Sequence, residues 1–220
     1  MNISSIAVQV LGKVWYLVPI AIVVVIIKTP WFKGIAGEFY VNLSAKILLD
    51  KKEYHLIKNV TLPKEDGSTQ IDHIIVSVFG VFVVETKNMR GWIYGNPKEN
   101  MWTQKIYKHS NKFHNPLQQN YKHVKTLQGL LGLKDEQIHS LVVFVGDSTF
   151  KTQMPDNITY GGGYVRFVRS KKERVLSLKE VVEIIKTIET GRLTPSYSTH
   201  REHIKHVKNV MKEKQNRIGS

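Results

Sequence analysis

Two acidic residues and a lysine occur in two neighbouring segments that are otherwise almost entirely apolar. Asp72 lies in the segment 70–76 (QIDHIIV), and Glu85 and Lys87 lie in the segment 81–87 (VFVVETK). Such runs are typical of strands buried on both faces, and the short connection between them predicts a β-hairpin. Because side chains alternate between the faces of a strand, Glu85 and Lys87 share one face, and the hairpin brings Asp72 roughly opposite Glu85.

This convergence of two carboxylates and an ammonium group needs a physical explanation. Carboxylates about 5 Å apart across a strand pair repel each other unless a proton, a lysine or a metal ion lies between them. Acidic side chains are also rarely buried without a partner. Two interpretations stay open: a local ion pair of Lys87 with Glu85 or Asp72, or a site that does chemistry.

Four ordered motifs in this part of the chain resemble the nuclease-related domain (NERD) family, a branch of the PD-(D/E)xK nuclease superfamily. The resemblance covers roughly residues 34–150. It implies an α/β fold with a mixed central β-sheet flanked by helices, the restriction-endonuclease-like α-β-β-β-α-β core. The motifs are Gly37-Glu38 at the start of a helix, 70–73 (QIDH), 84–88 (VETKN) with 91–93 (GWI), and 115–120 (NPLQQN).

The resemblance implies a divalent-metal site formed by Asp72 and Glu85, with the backbone carbonyl of Thr86 as a further ligand. Carboxylate oxygens suit Mg²⁺ or Mn²⁺, and Mg²⁺ usually binds through only one or two protein carboxylates. Such an ion lowers the pKa of its bound water and neutralises charge that develops on a phosphate. The resemblance therefore predicts a metal-dependent nuclease that hydrolyses phosphodiester bonds in DNA or RNA.

Three further residues complete the catalytic site that the resemblance implies. Lys87 would orient or polarise the attacking water and the scissile phosphate. Glu38 and Gln119 would complete the site, Gln119 through a contact to the water or the phosphate. Both also have simpler interpretations. For Glu38 it is an acid in the first turn of a helix, which the helix dipole favours. For Gln119 it is an ordinary exposed polar residue, on a helix face that it shares with His123.

Capping residues and hydrophobic patterns predict the elements around this site. Asn115 and Pro116 predict the start of a helix, and Ser177 with Glu180 forms a capping-box pattern. A glycine loop at 161–163 lacks the lysine and hydroxyl spacing of a P-loop, and we interpret it as a connection. The expected order is helix 39–49, strand 55–62, the Asp72 hairpin, a short hairpin of 91–94 and 101–106, helix 114–132, strand 141–147, strand 164–168 and helix 177–190.

A second signal is the apolar N-terminus. Residues 14–27 (VWYLVPIAIVVVII) contain no charge, and the mainly apolar residues 6–11 extend the run to about the 20 residues that cross a bilayer. We expect one transmembrane helix within residues 1–30, with the lysines after it favouring the cytoplasm for the rest of the chain. A cleaved signal peptide and a buried core helix kinked at Pro19 are the alternatives.

The chain carries a formal net charge of +14, and basic residues are frequent in the segment that follows Lys87. Between residues 86 and 134 there are nine Lys or Arg residues and one acidic residue, Glu99, with tryptophans and tyrosines among them. Lysines bind phosphates through counterion release, and aromatic rings stack on unpaired bases. An anionic membrane is the alternative partner for this surface. The residues predicted to bind nucleic acid are Arg90, Lys105, Lys108, Lys112, Lys122 and Lys125.

The remaining segments complete the expected domain organisation. Residues 151–195 are expected to supply a strand and a helix that complete the domain, and 196–220 is a basic amphipathic tail suited to nucleic acid or lipid headgroups. The chain contains no cysteine, which excludes disulfides and thiolate zinc sites. The expected protein is a membrane-anchored nuclease facing the cytoplasm. The alternative is a non-catalytic, membrane-tethered module of the same fold that binds nucleic acid or a protein.

Overall fold

The computed structural model describes residues 15–64 and 67–193 of the 220-residue chain. The predicted tail at 196–220 and the first part of the predicted transmembrane segment lie outside the described residues. The helices are α1 (Leu17–Lys28), α2 (Pro30–Leu48), α3 (Pro116–Leu131), α4 (Gly163–Ser170) and α5 (Leu178–Gly191), with a short 3-10 helix at Asp135–Gln137. The strands are β1 (His55–Lys64), β2 (Gly67–Ser77), β3 (Gly80–Asn88), β4 (Gly91–Tyr94), β5 (Met101–Ile106), β6 (His109–His114), β7 (Ile138–Val145), β8 (Ser148–Phe150) and β9 (Ile158–Tyr160).

The central sheet has the strand order β1-β2-β3-β7-β9. β1, β2 and β3 are antiparallel neighbours, whereas β7 is parallel to both β3 and β9. Parallel neighbours require a long crossover, and the crossover from β3 to β7 contains α3. With α2 before β1, this arrangement confirms the predicted α-β-β-β-α-β core and its mixed sheet.

Helices cover both faces of the central sheet. α2 and α4 pack on one face, where Val41 and Tyr164 are fully buried. α3 and α5 cover the opposite face, where Leu127 and Ile188 are fully buried. Full burial of a side chain such as leucine contributes about 1.5–3 kcal/mol. The strands that carry the candidate site are therefore held between two helical layers.

A second sheet has the strand order β6-β5-β4-β8. The predicted hairpin of β4 and β5 is present, whereas the sequence did not indicate β6 or β8. Trp102 of β5 is fully buried, and its ring stacks on that of Phe144 in β7, with 6.5 Å between centroids and 12° between planes. This contact joins the second sheet to the central one.

The two N-terminal helices meet at Thr29. Its hydroxyl accepts a hydrogen bond from the backbone N–H of Phe32 at 3.2 Å, and Pro30 occupies the first position of α2. Both features are helix-start signals. They start α2 at Pro30, so the predicted start near Glu38 is wrong, and Glu38 lies in the middle of a 19-residue helix. The first-turn interpretation of Glu38 fails for the same reason.

The apolar residues of α1 are not covered by any other element within residues 15–64 and 67–193. None of them is buried, so the described residues do not support the alternative of a buried core helix. Among the described residues, no single helix is long and apolar enough to cross a membrane, but α1 and α2 together meet the length and composition of a span, with a bend of 68° at their junction. The transmembrane helix therefore stays a prediction.

The segment 164–168 is part of α4 and not the predicted strand. It buries Tyr164, Val165 and Val168 along one side, which is the spacing of a helix. Aromatic and β-branched residues favour strands when taken alone. Here the packing of this side on the central sheet selects a helix instead, and the preceding strand β9 takes the sheet edge beside β7.

Candidate active site

The hairpin of β2 and β3 places Asp72 where the two strands separate. Their pairing ends at His73 and Val84, one residue short of Asp72 and Glu85. Beyond this pair, Oδ2 of Asp72 accepts a hydrogen bond from the backbone N–H of Thr86 at 2.8 Å. The carboxylate of Asp72 thus accepts the N–H that a backbone carbonyl of a paired strand would accept. The register of β2 against β3 places Asp72 across from Glu85.

Lys87 makes contacts on two sides. Its Nζ donates hydrogen bonds to Oε1 of Glu85 at 2.6 Å and to Oε1 of Gln119 at 2.9 Å. The side chain of Glu85 is 3% exposed and that of Lys87 is 22% exposed, so the ammonium group lies at the border between core and solvent. Gln119 belongs to the first turn of α3, which Asn115 caps as predicted. Three of the predicted catalytic residues therefore form one hydrogen-bonded group.

His123 also contacts Glu85, although it was not predicted as a site residue. Its Nε2 lies 3.4 Å from Oε2 of Glu85, without the alignment of a hydrogen bond. Its Nδ1 shares a 2.8 Å hydrogen bond with the hydroxyl of Thr69. The available sequence signal was the spacing of His123 one helical turn after Gln119. Thr69 is 54 residues away in the chain, and no local pattern indicates this partner.

Glu38 approaches the two carboxylates from α2, close enough for its charge to affect them. The neighbouring Gly37 is buried, and a side-chain carbon there would come within 3.0 Å of Cβ of Asn88 and Cγ2 of Val145. Glycine therefore lets α2 lie directly against β3 and β7. Asn88 reinforces this contact, because its Nδ2 donates a hydrogen bond to the backbone carbonyl of Lys33 at 2.7 Å.

Burial, the mutual repulsion of the three carboxyl groups and the neighbouring Lys87 and His123 shift their pKa values in different directions. Burial raises the pKa of Asp72 well above its ordinary value, and the charge of Glu85 raises it further. Burial also raises the pKa of Glu38, again with a contribution from Glu85. Burial disfavours a charged Glu85 as well, but Lys87 and His123 outweigh it and hold the pKa of Glu85 below its usual value. The ionised forms of Asp72 and Glu38 therefore need a further positive charge.

A divalent cation fits this set of oxygen donors. Asp72 and Glu85 provide carboxylates on adjacent strands with Thr86 beside them in β3, and Oε2 of Glu85 is a buried oxygen without a hydrogen-bond partner among the described residues. No three His, Asp or Glu side chains in the described part of the chain lie close enough together to hold a metal ion. Two carboxylates are nevertheless enough for Mg²⁺, because it keeps several of its waters.

Asn120 ties α3 to the sheet beneath the site. It is fully buried, and its Nδ2 donates hydrogen bonds to the backbone carbonyls of Val83 at 2.9 Å and Leu141 at 3.2 Å. These carbonyls belong to the adjacent strands β3 and β7. Gln118, two residues before Asn120 in the chain, donates instead to the carbonyl of Glu99 at 3.3 Å. Asn120 therefore sets the register of α3 against the sheet, and local sequence patterns did not reveal this role.

The basic residues predicted to bind nucleic acid are all exposed, but they lie on different elements. Arg90 follows β3, whereas the others lie on the second sheet or on α3. On α3, Nζ of Lys125 is 3.4 Å from the carboxylate of Asp135, which compensates part of its charge. The β5–β6 hairpin carries Lys105, Lys108 and Lys112, and α3 carries Lys122 and Lys125.

Comparison with known proteins identifies the class of this domain. The family model described as nuclease-related domain matches residues 33–145. The chain therefore belongs to the nuclease-related domain family, which confirms the resemblance found in its motifs and agrees with the PD-(D/E)xK placement.

One relative is a protein of Bacillus anthracis that is described as uncharacterized. It is 50% identical over 105 residues, which are 46% of this chain and 48% of that protein. The matched segment therefore spans about half the length of this relative. No solved structure matches the chain.

Proposed function

We propose that this chain is a divalent-metal-dependent nuclease that hydrolyses phosphodiester bonds in DNA or RNA. The proposal is carried by the ammonium group of Lys87, which Glu85 and Gln119 hold on the strand next to the carboxylate of Asp72. Mg²⁺ or Mn²⁺ bound by Asp72, Glu85 and the carbonyl of Thr86 would lower the pKa of a bound water and neutralise charge on the phosphate.

The protein's own residues would position the reactants. Lys87 has the length and partial exposure to donate a hydrogen bond to a phosphate oxygen or to the attacking water. Gln119 holds the ammonium group and can contact the same water, while Glu38 completes the site from α2. In the net reaction, water adds to phosphorus and the bond from phosphorus to one sugar oxygen breaks. One proton of the water ends on the leaving oxygen.

The outer face of the second sheet supports a nucleic-acid substrate. Trp92, which is 47% exposed, pairs across the strands with Lys105, and Lys112 lies on the same face one strand further. Nζ of Lys151 lies 4.7 Å from the centroid of the Trp92 ring. Ammonium groups bind phosphates, and an exposed ring can stack on a base. Arg90, Lys122 and Lys125 would extend this surface toward the site and α3.

We also propose that the N-terminal segment anchors the domain in the cell membrane, with the nuclease domain in the cytoplasm. Its support is the apolar composition of α1 together with the absence of buried residues in this helix. Lys28 follows the apolar run directly and Lys33 lies five residues further on, and an excess of lysine next to a membrane helix favours the cytoplasmic side.

A binding module without catalytic activity is the second candidate. The observation in its favour is the 2.6 Å contact between Lys87 and Glu85, which is also what a structural ion pair would form. The basic and aromatic surface would bind nucleic acid equally well without cleavage. In that case the fold would tether nucleic acid or a protein partner at the membrane.

A cleavage assay separates the two candidates. Labelled single- and double-stranded DNA and RNA are incubated with the full chain in a mild detergent, with Mg²⁺, Mn²⁺ or EDTA. Metal-dependent cleavage that is lost in both Asp72→Asn and Lys87→Met supports the nuclease. Asp156→Asn, at an exposed acid, is the matched control and should cleave normally. Binding without cleavage in every metal would favour the binding module.

A further inference from the structure

The outer side of α2 carries a stripe of large apolar side chains that no other described element buries. The inner side of the helix is buried through Gly37, Val41 and Ala45. The residues of the outer stripe recur every four positions and fall midway between the buried ones, so they lie on the opposite side of the helix. The outer stripe consists of Trp31, Ile35, Phe39, Leu43 and Ile47, whose exposed fractions range from 45% to 69%.

A helix that is apolar on both sides is normally enclosed by protein or by lipid. In the part of the chain that the structure describes, only the inner side of α2 has a protein partner. Single exposed apolar residues are common, but contiguous apolar patches of several hundred Å² mark interaction surfaces. The outer stripe extends over about 24 Å of helix at 1.5 Å per residue. It therefore requires a partner.

The connection to α1 indicates that this partner is lipid. The outer stripe begins with Trp31, just after the junction, and tryptophan is enriched at membrane interfaces. On the other side of the junction, the large apolar side chains of α1 are 43–65% exposed. The bend between the two helices is 68°. If α1 runs along the membrane normal, α2 comes to lie close to the membrane plane, which is the orientation of an interfacial helix.

Basic residues accompany both ends of the outer stripe. Lys28 and Lys33 lie near its beginning, and Lys46 lies near its end. Arg169 of α4 is held at the same end, because its Nη2 donates a hydrogen bond to a backbone carbonyl in the last turn of α2. Glu38, the one acidic residue of α2, lies toward the carboxylates of the candidate active site. An apolar stripe flanked by basic residues fits a bilayer with anionic headgroups.

We propose that α2 lies along the surface of an anionic bilayer, with the outer stripe between the headgroups and the acyl chains. The sheets and the candidate active site are then held on the aqueous side in one orientation, whereas a lone transmembrane helix would leave the domain free to rotate. This contact rests on the proposed membrane anchor in α1, but it is independent of the proposed nuclease activity.

The absence of cysteine makes the test direct, because one introduced cysteine is the only attachment site for a thiol-reactive fluorophore. A polarity-sensitive fluorophore is attached to the Phe39→Cys and Ile47→Cys variants of the full chain. The labelled proteins are reconstituted in vesicles of phosphatidylcholine and phosphatidylglycerol. Lys186→Cys, exposed on α5 at the other face of the sheet, is the matched control. Val23→Cys in α1 reports on the proposed anchor separately.

We expect the fluorophores at residues 39 and 47 to shift to the blue, to be quenched by lipids brominated near the headgroup, and to be protected from iodide. The fluorophore at residue 186 should be quenched by iodide alone. Iodide quenching at 39 and 47 would overturn the proposal, even if residue 23 is quenched by bromine deep in the bilayer. Protection at 39 and 47 from both quenchers would also overturn it, because a second copy of the chain would then cover the stripe.

Discussion

Replacing Asp72 by asparagine should make the protein more stable near neutral pH. The change removes one of two carboxylates on neighbouring strands, while an asparagine oxygen can still accept the N–H of Thr86. Two carboxylates roughly 5 Å apart repel by about 3 kcal/mol at an effective dielectric constant of about 20. The lost attraction to Lys87 and the weaker hydrogen bond offset about half of this. We expect a net gain of about 1–2 kcal/mol in the free energy of unfolding.

The pH dependence of this gain follows from the raised pKa of Asp72, which is caused by burial and then by Glu85. As pH rises above the ordinary aspartate pKa of about 3.9, the unfolded chain releases a proton that the folded protein retains. The wild type therefore loses stability over the range up to the raised pKa, and asparagine does not. The gain of Asp72→Asn should be near zero at about pH 4 and should grow as pH rises.

The free energy of unfolding is measured in a mild detergent with EDTA at several pH values, and tryptophan fluorescence reports the unfolding. Asp156→Asn is the matched control. Adding Mg²⁺ at about ten times its Kd should stabilise the wild type by about 1.4 kcal/mol and Asp72→Asn by much less. The reasoning is refuted if Asp72→Asn is less stable than the wild type near neutral pH, or if Mg²⁺ stabilises both proteins equally.

Two other perturbations test the nucleic-acid surface and the approach of α2. Replacing Lys105, Lys108 and Lys112 by alanine should weaken binding of all sequences in fluorescence anisotropy and lower the salt slope by about 2–3; an unchanged slope would contradict the basic surface. Gly37→Ala should destabilise by about 1–3 kcal/mol in thermal unfolding, because its Cβ would crowd two side chains. Gly34→Ala, in open space on the same helix, should stabilise by about 0.5–1 kcal/mol, and equal effects would argue against close packing.

The elements whose signals are local were predictable. The β2–β3 hairpin follows from two apolar runs and a short turn, and its register runs from Ser77 opposite Gly80 to His73 opposite Val84. The capping box of Ser177 at the start of α5 is present with both hydrogen bonds. Each of these features depends on residues within a few positions of one another, so the sequence contains the whole signal.

The elements that depend on tertiary contacts were not predictable. β8 is three residues long and is defined by its pairing with β4, and α4 is helical because one side of it packs on the sheet. The start of α2 was missed because Gly34, Gly37 and Glu38 together resembled a loop before a helix. The cap at Thr29 and the proline after it are the stronger signals.

The candidate site shows the same division. Alternation along β3 placed Glu85 beside Lys87, and the helix start at Asn115 put Gln119 within reach. The contact of His123 with Glu85 joins elements far apart in the chain. The separation of the strands at Asp72 is likewise a property of the folded sheet, and a sequence pattern does not specify it.

The most direct test of the central claim measures cleavage and binding on the same samples of Glu85→Gln, the wild type and the matched control Glu173→Gln, an exposed acid. Binding of a labelled nucleic acid is followed by anisotropy in EDTA, and cleavage begins when Mg²⁺ or Mn²⁺ is added. If the protein is a metal-dependent nuclease, Glu85→Gln should lose cleavage while its Kd for the nucleic acid stays close to that of the wild type. Equal cleavage by Glu85→Gln and the wild type would contradict the assignment of the active site.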